Sequence, residues 1–199
     1  MVETELYLIR HGETDWSRAH RYTGRTDLAL TAAGREECRR TRATLFELAG
    51  SEAVFDRVYA SPMARAVQTA ECIFGPQCPV EVSDLLREID FGDLEGLTLA
   101  EQEATCPDAS VWRHGGRNGE TLEEVGRRAD AFLGTCVGER DRVVVVSHGY
   151  IMRIIAARAL GLQPHHGALF AMSTGSVGLV ADVRGRRVVA AWNLPARSG

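Results

Sequence analysis

Two short apolar runs that stop in the same way constrain this chain more than any other feature. Leu6-Tyr7-Leu8-Ile9 ends at Arg10-His11-Gly12, and Val143-Val144-Val145-Val146 ends at Ser147-His148-Gly149. A run of bulky residues without alternation predicts a strand covered on both faces, the condition of a parallel sheet held between helices. The glycine after each histidine marks a turn. In an open parallel sheet the crevice lies beyond the carboxyl ends of the strands, so His11 and His148 are expected together at one sheet edge with Arg10 beside them.

The segments between these strands read as further strands and helices. Asp15 to Asp27 is polar and aromatic without period and is expected to be a loop over the crevice. Thr31 is a natural N-cap for a helix that Gly50 stops, with Cys38, Leu45, Leu48 and Ala49 facing the sheet. Arg57-Val58-Tyr59-Ala60 predicts a strand, and Ser61-Pro62 a helix start whose stripe is Met63, Ala66, Val67, Ala70, Ile73 and Phe74. Arg65 lies off that stripe, as a surface residue or as one aimed at an anion near the helix N-terminus. Val80-Glu81-Val82 predicts an edge strand, and Leu99 to Cys106 a short helix before Pro107. Val111 to Glu120 is glycine-rich and expected to be irregular. Thr121 and Glu124 form a capping box for a helix with the stripe Leu122, Val125, Ala129, Phe132, Leu133 and Cys136. Ile151 to Leu160 predicts an apolar helix, and Val177–Val183 with Val188–Trp192 a hairpin. The succession predicts one α/β domain over 1–199, a three-layer α/β/α sandwich with a mostly parallel central sheet.

Composition narrows the function. The net charge of −4 argues against a nucleic-acid binder, and no apolar run reaches the length needed to span a membrane. The five cysteines are scattered, with no C-x-x-C pair, so reduced thiols in a cytoplasmic protein without an export signal are expected. His11, His148, Arg10 and Arg65 together form a ring of donors suited to a phosphoryl group, whose oxygens guanidinium forks match in geometry and charge. The sequence has no G-x-x-x-x-G-K-[ST] loop, no Asp cluster for magnesium and no Cys-x5-Arg signature, which leaves metal-free transfer to a nitrogen nucleophile, with no cofactor. A proton donor is expected in the stretch from Glu88 to Gly96, where Glu88, Asp90, Asp93 and Glu95 all compete on composition.

The ordered set of motifs resembles the histidine phosphatase superfamily, in its phosphoglycerate-mutase-like branch. It comprises Leu8-Ile9-Arg10-His11-Gly12-Glu13-Thr14, then Gly24, Asp27, Leu30-Thr31 and Gly34, then Ser61-Pro62 with Arg65. Glu88 before Gly92 and Glu95-Gly96, and Ser147-His148-Gly149, complete the set. The resemblance implies that His11 is the nucleophile, neutral and donating its other nitrogen to a backbone carbonyl. Arg10, Arg65 and His148 would bind the phosphoryl oxygens, and Glu88 would act as proton donor and then base. One position departs from the family: Ser17 follows Trp16 where many members carry Asn, and its shorter side chain would reach the phosphoryl group through water.

Trp16-Ser17, Tyr22-Thr23-Gly24, and Trp112-Arg113-His114-Gly115 with Asn118-Gly119-Glu120-Thr121 are similar to the acid-phosphatase and sedoheptulose-bisphosphatase-like members. That likeness implies hydrolysis of small sugar phosphates or similar monoesters. Ser17, Arg21, Tyr22, Thr23, Gly24, Trp112, Arg113, His114 and Gly149 are the expected substrate contacts. The alternatives are a cofactor-dependent phosphoglycerate mutase, whose extra enclosing segments this shorter chain lacks, and a non-catalytic phosphate-binding module, which would be expected to lose a nucleophile or donor. The only partner expected is the phosphate ester, the protein being a monomer or homodimer.

Overall fold

A computed structural model describes residues 4–136, 138 and 141–197. In chain order the elements are β1 (Glu5–Arg10), α1 (Asp15–Arg18), α2 (Ala32–Ala49), β2 (Arg57–Ala60), α3 (Ala64–Phe74), β3 (Glu81–Val82), α4 (Leu99–Thr105), α5 (Val111–His114), α6 (Leu122–Cys136), β4 (Arg142–Ser147), α7 (Gly149–Ala159), β5 (Val177–Val183) and β6 (Arg186–Leu194). Short 3-10 turns cover Asp84–Leu86 and Pro164–Leu169. The six strands form one sheet in the order β3-β2-β4-β1-β5-β6. The four on the β3 side run parallel, whereas β5 pairs antiparallel with β1 and with β6. The expected α/β sandwich is therefore present, with two antiparallel strands closing one side.

The unalternating strands are buried on both faces because each face meets a different set of helices. Leu6, Leu8, Val143 and Val145 pack with residues of α6 and α7 such as Val125, Phe132 and Ile155. The intervening Tyr7, Ile9, Val144 and Val146 pack with Leu45 of α2 and Ala66, Ala70 and Ile73 of α3. The stripes expected on α2 and α6 are in these two cores or against them, except that Cys38 is buried outside both, its Sγ donating to Thr69 Oγ1, and that the side chain of Cys136 lies outside the described residues. Thr31 caps α2 by accepting from the Gly34 N–H, and Thr121 and Glu124 exchange the hydrogen bonds of a capping box.

Four boundaries differ from the sequence reading. Asp15–Arg18 is a helical turn rather than loop, because Thr14 and Ser17 cap one another reciprocally. Helix α3 starts at Ala64 and not at Ser61-Pro62. The Ser61 N–H still bonds to Val146 O as an extension of the sheet, and the first helical N–H, that of Ala64, is taken by the Asp27 carboxylate from a distant loop. Val111–His114 also forms a helical turn where irregular chain was expected, and α7 begins at Gly149, two residues early.

Helix α2 holds the Arg-His-Gly turn from below. A Cβ on Gly34 would sit 2.2 Å from Glu13 O, and one on Gly12 would sit 2.6 Å from Gly34 O, so two glycines allow the helix and the turn to touch backbone to backbone. Gly34→Ala is expected to cost about 2 kcal/mol or more, since backbone cannot yield as a flexible side chain does. A thermal or urea melt of that variant checks this; an unchanged midpoint would contradict the close contact.

Candidate active site

Parallel pairing of β1 with β4 places Arg10 opposite Ser147, so the residues that follow, His11 and His148, emerge side by side. Their rings lie 5.2 Å apart at an interplanar angle of 64°. The His11 Nδ1 atom is 2.8 Å from Gly12 O. A carbonyl can only accept, so Nδ1 carries the proton and Nε2 keeps its lone pair. Burial, then the Arg65 and Arg10 charges, holds the His11 pKa well below the ordinary imidazole value, and the ring is neutral at pH 7.

The tautomer of His148 is opposite, and Arg65 sets it. The Arg65 Nε–H donates to His148 Nδ1 at 3.0 Å, so the His148 proton is on Nε2, which donates to Ser61 Oγ at 2.8 Å. Arg65 is 0% exposed, which settles the choice left open by its position off the α3 stripe in favour of an inward-facing group. Its remaining donors go to carbonyls of one loop: Nη1 to Thr26 O at 2.9 Å, and Nη2 to Gly24 O at 3.2 Å and Thr23 O at 3.3 Å. That loop is held in turn by Glu95, whose carboxylate accepts from the Gly24 N–H at 2.9 Å and the Thr26 N–H at 3.0 Å. Among the four carboxylates of the Glu88–Gly96 stretch, Glu95 is thus an anchor for the loop.

Glu88 faces the histidines and is 8% exposed. Burial raises its pKa, opposed by the N–H groups of Tyr150, Ile151 and Ile89, which donate to it at 3.0, 2.9 and 3.0 Å. Two of those groups belong to the first turn of α7, so the strand–His-Gly–helix device supplies the cradle of the carboxyl as well as His148. Arg10 donates from Nη1 to Met172 O at 2.6 Å, while its buried Nε has no partner.

A cavity of about 300 Å³ opens on this group and is lined by Arg10, His11 and Glu88, together with Ser17, Arg21, Tyr22, Thr23 and Gly149 of the expected substrate contacts. Arg65 and His148 are fully buried and do not line it, and Gly24 is buried as an acceptor for Arg65. The Ser17 hydroxyl is engaged with Thr14 as a cap. Arg21 is tied by Nη1 to Gly96 O at 2.6 Å and Glu101 at 2.9 Å. Trp112 stands behind the wall, stacked on Tyr150 at 4.8 Å. Arg113 is exposed, and His114 borders a separate cavity with Asp108 and Arg117, so neither joins this group.

The sequence reading missed Tyr150, Phe91, Met172 and Arg153, all of which line the cavity. Arg153 lay within the apolar helix expected from Ile151 and Tyr150 just before it, and only their spacing from His148, five and two residues, marked them. Among the described residues no group of three or more His, Cys, Asp or Glu side chains is arranged to hold a metal ion, and no helix is long and apolar enough to cross a membrane.

Comparison with known proteins agrees with this geometry. Residues 6–195 match the histidine phosphatase superfamily (branch 1). An acid phosphatase of Mycobacterium tuberculosis is 36% identical over 95% of this chain and 92% of its own. Sedoheptulose 1,7-bisphosphatase of Saccharomyces cerevisiae is 31% identical over 78% of this chain and 67% of its own. Among solved structures, an open-reading-frame product of Mycobacterium tuberculosis is similar with a TM-score of 0.87 and 35% identity, covering 98% of this chain and 99% of that one. With the match running from the first core strand to the end of the sheet, the chain belongs to branch 1 of the histidine phosphatase superfamily and is a phosphatase.

Proposed function

We propose that this phosphatase hydrolyses small phosphorylated metabolites such as sugar phosphates, without a metal ion, through a phosphoryl group carried on His11. The observation that carries the reading is the His11 ring: Nδ1 is committed to Gly12 O, which leaves the lone pair of Nε2 free, and the same cavity is lined by Arg10, whose buried Nε has no partner. A neutral imidazole so oriented is a nucleophile, and a phosphoryl oxygen is the missing acceptor for Arg10. The names of the acid phosphatase and the sedoheptulose 1,7-bisphosphatase support the substrate class. Free thiols at Cys38, Cys72, Cys78 and Cys106 support a cytoplasmic location.

In the first step His11 Nε2 attacks phosphorus, the N–P bond forms and the P–O bond to the alcohol breaks in line. Arg10 and the buried charge of Arg65 stabilise the charge spread over the equatorial oxygens, and His148, fixed by Arg65 and Ser61, stands beneath them. Glu88 in its protonated form gives its proton to the leaving alkoxide. As carboxylate it then takes a proton from the water that attacks phosphohistidine, so phosphate leaves and the acid is restored. Burial serves the first half of this cycle by raising the Glu88 pKa, and the three N–H donors serve the second by stabilising the anion.

His11→Ala should abolish phosphate release, and release by the wild type should be unchanged by EDTA. A panel of sugar phosphates with 3-phosphoglycerate isomerisation followed in parallel checks both, and isomerisation outrunning release would make the enzyme a mutase. Glu88→Gln should slow the first-turnover release of alcohol from an alkyl phosphate by about 100-fold or more, and from 4-nitrophenyl phosphate far less, because nitrophenolate leaves without a proton. The same step in the wild type should weaken as pH rises through the raised Glu88 pKa, a limb that the Gln variant lacks; equal losses on both esters would remove Glu88 from the donor role. Glu95→Ala should lower kcat/KM by about 10-fold or more through the loop that holds Arg65, with Glu95→Gln, which keeps an acceptor for both N–H groups, recovering most of it. Equal melting temperatures for the two variants alongside that rescue would separate positioning from folding.

A further inference from the structure

The stretch of chain that carries Glu88 is tied down by an ion pair that the reaction does not use. Glu88 lines the active-site cavity and also borders a second cavity of about 490 Å³, whose wall includes Asp84, Arg87, Asp90, Glu120 and Arg128. Leu86 and Ile89 anchor the stretch in the core, and the Leu86 carbonyl accepts from Ser147 Oγ at 2.6 Å. The backbone on either side of Glu88 is held by Arg128 of α6 and Glu120. Arg128 lays Nε and Nη2 against the two carboxylate oxygens of Glu120, at 2.9 and 2.8 Å. Its Nη1 spans two carbonyls, Leu85 O at 2.8 Å and Arg87 O at 2.7 Å, and the second belongs to the peptide that joins Arg87 to Glu88. Glu120 closes the clamp from the other end: its Oε2 accepts from the Asp90 N–H at 3.2 Å, and its own N–H donates to Asp90 O at 2.9 Å. The loop before Glu120 comes so near that a Cβ on Gly119 would lie 2.2 Å from the same oxygen. With side chains only 15% and 22% exposed, the Arg128–Glu120 pair is shielded from the solvent screening that weakens surface pairs.

Glu88 is thus gripped twice, its backbone from α6 and its carboxyl by N–H groups at the start of α7. Proton transfer needs the carboxyl within hydrogen-bond reach of the oxygen it serves, and a small misplacement costs rate steeply. Neither Arg128 nor Glu120 lines the active-site cavity, so neither touches the reacting atoms. We propose that Arg128, together with Glu120, is a positioning residue for Glu88 that fixes the reach of its carboxyl towards the leaving oxygen. The inference rests on the donor reading of Glu88 given above and deepens it. A lysine in place of Arg128 keeps the charge but offers one nitrogen where the clamp uses three, so it cannot hold Glu120 and both carbonyls together.

The test uses two esters of nearly the same shape, phenyl phosphate and 4-nitrophenyl phosphate, which differ in how far the leaving oxygen needs a proton. The ratio of their kcat/KM values therefore reads the donor. In Arg128→Lys the phenyl ester should lose about 10-fold or more and the nitrophenyl ester about 3-fold or less. In the double variant with Glu88→Gln, the Arg128 change should leave the ratio where Glu88→Gln alone puts it, because no donor remains to be positioned. A purely structural Arg128 lowers both esters alike; equal losses, an unchanged ratio, or a further fall of the ratio in the double variant each overturn the proposal. If Arg128→Lys fails to fold, Glu120→Asp, which draws back the other half of the clamp by one methylene, should show the same selective loss on the phenyl ester, and its absence overturns the proposal equally. Failure of the underlying reading looks different. There Glu88→Gln itself lowers both esters alike, whereas a failed clamp leaves Glu88→Gln selective and Arg128→Lys not.

Discussion

The buried guanidinium of Arg65 is the interaction on which the site depends. A cation with no exposed surface is costly unless its donors are all met, and here they are met by neutral groups: three carbonyls of the Thr23–Thr26 loop and the Nδ1 atom of His148. Carbonyls satisfy the hydrogen bonds without cancelling the charge. The positive potential is therefore kept for something else, and it is felt by both histidines, whose pKa values it helps to hold down. One residue thus sets the tautomer of His148, adds to the burial that keeps His11 neutral and provides charge that the proposed reading assigns to a phosphoryl group. The Glu95 carboxylate sits one layer further out, on the N–H groups of the same loop, where it compensates the cation through the backbone and not by direct pairing.

This explains why some of the molecule was legible in the sequence and some was not. Strands β1 and β4 were readable because burial on both faces leaves only apolar residues, and the two His-Gly turns were readable because each interrupts such a run. Helices α2 and α6 announced themselves by period and cap. Arg65 was ambiguous, because the groups that receive it come from a loop some forty residues earlier and no local pattern records them. Asp27, which caps α3 in place of Ser61, is the same kind of partner. The resemblance to a known family supplied the roles of Arg65 and Glu88, which residue chemistry alone left open among several candidates.

The substrate contacts show the opposite error. Arg113 and His114 had the chemistry expected of a phosphate ester site but lie away from the cavity, whereas Tyr150 and Arg153 sit on a helix whose apolar character hid them. Helix α7 is buried over most of its circumference, so the usual division into a wet and a dry face fails, and the residues that line the cavity are those that follow His148 by a fraction of a turn and by more than a turn. A buried helix beginning at an active-site turn contributes to the site along its length, beyond its first residue.

That arrangement also sets the character of Glu88. Its carboxyl lies where the first N–H groups of α7 converge, a position that by itself would favour the anion, yet it is enclosed deeply enough for burial to win and raise its pKa. Neither influence alone would suit the role proposed for Glu88, in which the group first gives a proton and then takes one. A carboxyl in an apolar pocket would give up its proton only reluctantly, and one in water at a helix end would have no proton to give. Setting the two against each other at the same oxygens holds both forms within reach, and the Ser147-His148-Gly149 turn is what brings the helix end, the second histidine and the carboxyl to one place.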